Sequence, residues 1–151
     1  MVSFSAILSP SCAEVNIQAE NKDDALKAAV ELISRSGKVA DPGKLLEEIR
    51  GREVLASTGI GEGVGLPHAM SDAVSQTMLG VLRLVSPVPF GAQDQKPVDL
   101  LFIIAGPRGE TSAHLQLLSK LARLLHDEHF RDSLRRAENG EALAQILYAK
   151  D

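Results

Sequence analysis

Met78-Leu-Gly-Val-Leu-Arg-Leu-Val85 and Val98-Asp-Leu-Leu-Phe-Ile-Ile-Ala105 decide the fold. The first is apolar except for Gly80 and Arg83, the second except for Asp99, and both are short and bounded by Pro or Gly. Continuous apolar runs of this kind predict buried strands. Between them Pro87, Pro89, Gly91 and Asp94 predict a loop or an edge hairpin.

Working outward, the flanking segments carry helical spacing. Upstream, Leu26, Ala29, Val30 and Ile33 recur on one helix face between Asn21 and Ser36, and Gly37 is placed to end it. Asp41-Pro42 offers a cap followed by a proline at the first helical position, with Leu45, Leu46 and Ile49 next and a stop expected at Gly51. Downstream, Thr111 or Ser112 is expected to cap a helix whose core face is Leu117, Leu118, Leu121, Leu124 and Leu125. Two further helical segments are predicted from Asp127 to Ala137 and from Asn139 to Ala149. Strands interleaved with helices, with no repeat and no flexible linker, predict a single α/β domain over residues 1–151. A chain of that length buries about 68–70% of its unfolded surface, enough for a full core.

Charge and cysteine content narrow the partners. With 20 acidic against 16 basic residues and no run of Lys and Arg, the chain lacks the basic track that a nucleic-acid backbone requires. Cys12 is the one cysteine, so no internal disulfide and no thiolate cluster for a metal can form, which suits a reducing compartment. Residues 1–13 lack the features of a signal peptide and no segment has the length of a membrane span. A cytoplasmic protein without membrane insertion is expected.

The segment with chemistry is Ser57-Thr-Gly-Ile-Gly-Glu-Gly-Val-Gly-Leu-Pro-His68. Glycine alternates with larger residues four times, so one face of an extended chain would be bare backbone open to a close approach, with Ile60, Val64 and Leu66 on the other. Neither familiar phosphate loop fits. The dinucleotide pattern would need glycine at Val64 or Leu66, the Walker pattern needs a Gly-Lys-Ser/Thr that is absent, and no carboxylate cluster suits Mg²⁺. No nucleotide or other cofactor is therefore expected. A neutral imidazole, by contrast, is a nucleophile near pH 7 and can carry phosphate reversibly. Transfer then needs in-line positioning and donors to the phosphoryl oxygens, for which Arg52, Thr58 and nearby backbone N–H groups are candidates.

His114 shares a helix face with Leu118, Leu121 and Leu125, so its ring is expected to point inward or into a cleft. In a first helical turn it would stay neutral and donate an N–H to an anion; the plain alternative is a core histidine bonded to backbone. Arg52 near a helix end can equally satisfy carbonyls. His126 and His129 have a metal-compatible spacing but sit among Asp127, Glu128 and Arg131, as a solvated helix start would. Arg123, Arg131, Arg135 and Arg136 read as charged surface, and Arg108 as a loop residue without an assigned purpose.

The run Thr58-Gly-Ile-Gly-x-Gly-x-Gly-x-Pro-His68 resembles the signature of the fructose/mannitol-type (type 2) EIIA domains of the phosphoenolpyruvate-dependent phosphotransferase system. Arg52-Glu53, Pro97-Val-Asp-Leu-Leu-Phe102 and Ala113-His114-Leu115 extend the resemblance along nearly the whole chain. It implies a mixed, mainly five-stranded sheet with helices on both faces. It also implies phosphorylation of His68 by the phosphohistidine of HPr or a paralogue, with His114 and Arg52 as the neighbouring site residues. Gly65 stands where the family commonly has alanine and Ala69 where glycine is frequent, both small changes. The look is that of the stand-alone nitrogen-regulatory branch (PtsN type), which implies a regulatory carrier. A sugar-uptake EIIA handing phosphate to a fructose/mannitol-type EIIB, and a regulatory binding protein that acts without phosphorylation, are the alternatives.

Overall fold

The computed structural model of the protein describes residues 2–151. In chain order its elements are α1 (Phe4–Ile7), β1 (Ala13–Ile17), α2 (Lys22–Ser34), α3 (Pro42–Leu55), β2 (Gly59–Gly61), β3 (Val64–Gly65), β4 (His68–Met70), β5 (Met78–Val88), β6 (Val98–Gly106), α4 (Thr111–Leu125), α5 (Glu128–Arg136) and α6 (Gly140–Tyr148).

The two apolar runs are the centre of the sheet. β5 and β6 pair antiparallel, Leu79 opposite Ile104 and Val81 opposite Phe102. Both are covered on each face, which is why neither shows a polar alternation. Val81, Leu100, Phe102 and Ile104 pack with α1, α4, α5 and α6, while Leu82, Leu101, Ile103 and Ala105 pack with α2 and α3. Strand order is β1-β5-β6-β3-β2, with β4 also on β6. β1 runs parallel to β5, β3 and β4 run parallel to β6, and β2 is antiparallel to β3, so the sheet is mixed.

Six strands meet the hydrogen-bond definition, yet β3 and β4 are one run of chain interrupted at Leu66-Pro67. Val64 pairs with Leu100 and His68 with Ile104, so the partner offset is the same on both sides of the break. The interruption follows from Pro67, which has no N–H to donate. Its carbonyl still accepts from Ile104 N at 3.0 Å, and Leu66 N turns to the Thr58 carbonyl at 3.0 Å. Register therefore survives the proline. Val64 and Leu66 lie on the α4 side of the sheet and Ala69 on the α2/α3 side, which by alternation puts His68 on the α4 side.

Three sequence expectations are corrected. The helix expected to stop at Gly51 runs on to Leu55 and ends only where Ala56 turns extended, φ −169° and ψ 143°. Gly51 faces open space, and a glycine inside a helix costs only about 1 kcal/mol relative to alanine, too little to end one. Neither Thr111 nor Ser112 caps α4: a 3₁₀ turn over Arg108–Glu110 leads into it, Glu110 is the cap residue, and the Thr111 hydroxyl goes to the Arg108 carbonyl. Leu118 and Leu124 are half-buried rather than central to the core, which takes Leu117, Leu121 and Leu125 from α4. β1 and α1 had no counterpart in the sequence pattern. Among the described residues no helix is long and apolar enough to cross a membrane.

Candidate functional site

The glycine-rich segment folds as the β2–β3 hairpin. Gly61, Glu62 and Gly63 all take positive φ, at 97°, 57° and 79°, which makes a tight reversal only because two of the three lack a Cβ. The hairpin is clamped from outside. Asp94 accepts from Glu62 N at 2.9 Å, and Arg135 donates to the Glu62 carbonyl at 2.7 Å while paired with Asp99 at 2.9 Å. Arg135 is therefore a tether of this loop, not the surface charge its helix position suggested. The bare glycine face is taken by the chain itself: a Cβ at Gly59 would meet Ala92 and one at Gly65 would meet Phe90.

Beyond Pro67 the segment delivers His68, half-buried as the first residue of β4 and toward the carboxyl end of the β3–β4 run, beside the end of the parallel strand β6. Crevices off the carboxyl ends of strands are where open α/β sheets place ligands. His68 Nδ1 lies 2.8 Å from the Leu66 carbonyl oxygen. A carbonyl only accepts, so Nδ1 carries the proton and Nε2 keeps its lone pair.

His114, in the first full turn of α4, is 4% exposed, and its ring centroid stands 5.5 Å from that of His68 at a 59° tilt. Burial, and then the nearby His68, lower its pKa to about 4, so the ring is neutral near pH 7. Nδ1 is sealed away without a hydrogen-bond partner among the described residues. A buried N–H with no acceptor is costly, so the proton belongs on Nε2, the nitrogen left to the depression that the ring edges.

That depression, about 420 Å³, is lined by Glu48, Arg52 and Leu55 from α3, by His68 and Met70 from β4, and by Arg108 and His114. Arg52 edges the depression and also donates to the Ala56 carbonyl beyond the helix end at 2.9 Å, as an arginine near a helix end does. Thr58 does not edge it. Its side chain is buried, with hydroxyl and amide both donating to the Glu53 carboxylate, itself 8% exposed and paired with Lys22 at 2.8 Å. Thr58 thus fastens the entry to the hairpin. His126 and His129 are exposed around the start of α5, where Asp127 accepts from His129 N as the cap.

Glu48 and Arg108 were missed as lining residues. Glu48 lies inside the helix expected before Gly51, where the pattern marked only the apolar face, and Arg108 carried no spacing signal. Only the observation that Arg108 lies six residues before His114, in the turn that feeds its helix, could have flagged it.

A tautomer-locked histidine with a free Nε2, a neutral second histidine and two guanidinium groups around an open cleft form an arrangement suited to an anionic group. Residues 6–150 match the family model described as "Phosphoenolpyruvate-dependent sugar phosphotransferase system, EIIA 2", and the chain belongs to that family. It is thus a phosphoryl-transfer component of that system. A nitrogen regulatory protein of Pseudomonas aeruginosa is 37% identical over 97% of this chain and 96% of its own. A fructose-specific EIIA component of Haloferax volcanii is 37% identical over 83% and 82%. The crystal structure of the nitrogen regulatory protein IIA-Ntr of Neisseria meningitidis superposes with a TM-score of 0.87 at 34% identity, covering 94% of this chain and 97% of that one.

Proposed function

We propose that His68 Nε2 accepts a phosphoryl group from the phosphohistidine of HPr or a paralogous carrier and passes it on. The observation that carries this reading is the Leu66 carbonyl on Nδ1, which fixes the nucleophilic nitrogen before any partner arrives. In the transfer the Nε2–P bond forms as the donor's P–N bond breaks, and the electron pair of that bond stays with the donor imidazole. The acceptor ring then bears positive charge, and the Nδ1–H bond to the Leu66 carbonyl becomes charge-assisted. His114 donates Nε2–H to the phosphoryl oxygens as a neutral ring, and the unpaired N–H groups of Arg52 supply positive charge. Val54 and Leu55, 85% and 80% exposed at the end of α3, are apolar surface on which a carrier can seat.

Incubation with phosphoenolpyruvate and the general phosphotransferase proteins tests this. One acid-labile phosphoryl group is expected by mass spectrometry and none in His68→Ala; no gain in the wild-type chain overturns the reading.

The end use we infer is regulatory, with partner choice in the cytoplasm set by the charge that His68 gains. The near full-length match to a nitrogen regulatory protein supports it. Delivery to a fructose-type EIIB is the second reading, supported by the Haloferax relative. Pull-downs with His68→Ala and a His68→Asp mimic separate them: a regulatory carrier changes partners between the two, and identical partners overturn the regulatory use.

A further inference from the structure

We propose that Arg108 is a phosphoryl-binding side chain of this cleft, held by Glu48 and Asp72 while His68 is unmodified and transferred to the phosphoryl oxygens once Nε2 carries the group. The inference rests on the carrier reading and adds to it a residue that neither the motif nor the glycine segment contains.

The main chain of Arg108 is pinned. Glu110 N donates to the Pro107 carbonyl at 3.0 Å, the Thr111 hydroxyl donates to the Arg108 carbonyl at 3.2 Å, and Glu110 is anchored through its carboxylate by Thr77 N at 3.0 Å and Thr77 Oγ1 at 2.7 Å. The side chain is not pinned. It is 63% exposed and meets Glu48 at 3.3 Å through Nη2 and Asp72 at 3.5 Å through Nε, long contacts with carboxylates that water also reaches. Exposed pairs of that kind contribute little, so leaving them costs little.

Neither carboxylate is stranded by the exchange. Glu48 keeps the Ser71 hydroxyl on its other oxygen at 2.5 Å, and Asp72 is exposed, with Lys44 at 4.0 Å. A phosphoryl dianion arriving in the same depression repels both carboxylates and attracts the guanidinium, whose planar fork matches two phosphoryl oxygens. Arg52 differs in this respect, because one arm is held by a neutral carbonyl that a phosphoryl group does not repel. Arg108 forms no covalent bond and moves no proton; the group transfer itself is the Nε2–P exchange already written.

The test phosphorylates the full chain and the variants R108Q, R108K and E48Q from phosphoenolpyruvate, following the acceptance rate and the ³¹P titration of the phosphohistidine. Removing one charge-assisted contact to the transferred group predicts an R108Q acceptance rate lower by roughly tenfold, with a ³¹P midpoint shifted upward because the dianion has lost a cation. R108K recovers part of both changes, and E48Q, which frees the guanidinium, moves the ³¹P midpoint downward. Circular dichroism checks that R108Q stays folded, as an exposed side chain should allow. A phosphorylated wild type whose rate and midpoint are matched by R108Q overturns the role of Arg108 alone. A wild type that gains no phosphate overturns that role and the carrier reading together.

Discussion

Two depressions flank α4, and they differ in kind. The larger, about 880 Å³, lies on the side of Leu115, Lys120, Arg123 and Lys150; the smaller holds His68 and His114. Volume and positive charge both favour the larger. Its central lysine is nevertheless committed: Lys120 donates to the Val2 carbonyl at 3.1 Å, meets Asp151 at 3.4 Å and lies 4.2 Å from the centre of the Phe4 ring. Asp151 in turn accepts from Phe4 N and Ser5 N, and those bonds hold its carboxyl well below the usual range despite burial. That groove ties the two ends of the chain together. The smaller depression leaves Nε2 of His68 uncommitted. Consecutive residues divide the two: His114 is 4% exposed toward one side and Leu115 59% toward the other. Chemistry follows uncommitted atoms rather than space.

The sharpest way to break this contrast is substitution on each side. His68→Ala is expected to abolish acid-labile phosphate uptake in a mass assay, whereas Arg123→Ala in the larger groove leaves it at the wild-type rate. Next in size, if His114 donates to the transferred group as proposed, His114→Ala is expected to slow acceptance by roughly 10² to 10³. His114→Gln, which restores an N–H, should recover part of that loss in the same rate measurement.

Acid titration sharpens the contrast at the level of stability. An unfolded imidazole protonates near its usual value of about 6.5, while the folded His114 does so at about 4. Between those values the unfolded chain binds more protons. The contribution of His114 is thus fully present above pH 6.5 and lost as pH falls toward 4, by up to about 3 kcal/mol. Urea melts of wild type and His114→Phe should diverge across that window, with the wild type the more acid-sensitive. Glu53→Ala leaves the buried Thr58 hydroxyl and amide without their acceptor, while Lys22 keeps the Phe90 carbonyl, and should lower stability by about 2 kcal/mol in the same melts. The smallest effect is expected at Gly51, where alanine meets open space inside a helix. Gly51→Ala should raise stability by roughly 0.5–1 kcal/mol and confirm that α3 continues past it.

Much of the fold was legible because its central strands are buried on both faces and so print as unbroken apolar runs. The helices read well where a capping side chain is used, as at Asn21, Asp41 and Asn139, each accepting the backbone N–H of the third residue of its helix. β1 escaped because Ala13–Ile17 is short and only partly buried, and α1 because four residues carry no period. Within the site, the glycine motif pointed to His68, and the helical face pointed to the burial of His114. Thr58 was misjudged because its hydroxyl could serve the depression or Glu53, and only the fold decides which. Arg108 and Glu48 meet across sixty residues of chain, a proximity no local pattern encodes.

The proline break between β3 and β4 leaves the pairing offset unchanged. The five-residue stretch from Val64 to His68 thereby acts as a ruler, tolerant of altered spelling but not of altered length. Losing or gaining one residue there would turn the imidazole through the sheet, away from α4 and its partner ring, with every side chain of the centre still present. The connection from Pro89 to Pro97 answers to a different constraint, because Phe90 and Ala92 fill the bare face of the hairpin and Asp94 accepts from Glu62 N. A deletion between Val64 and His68 that removes none of the side chains around the cleft is expected to be as damaging to phosphate uptake as His68→Ala.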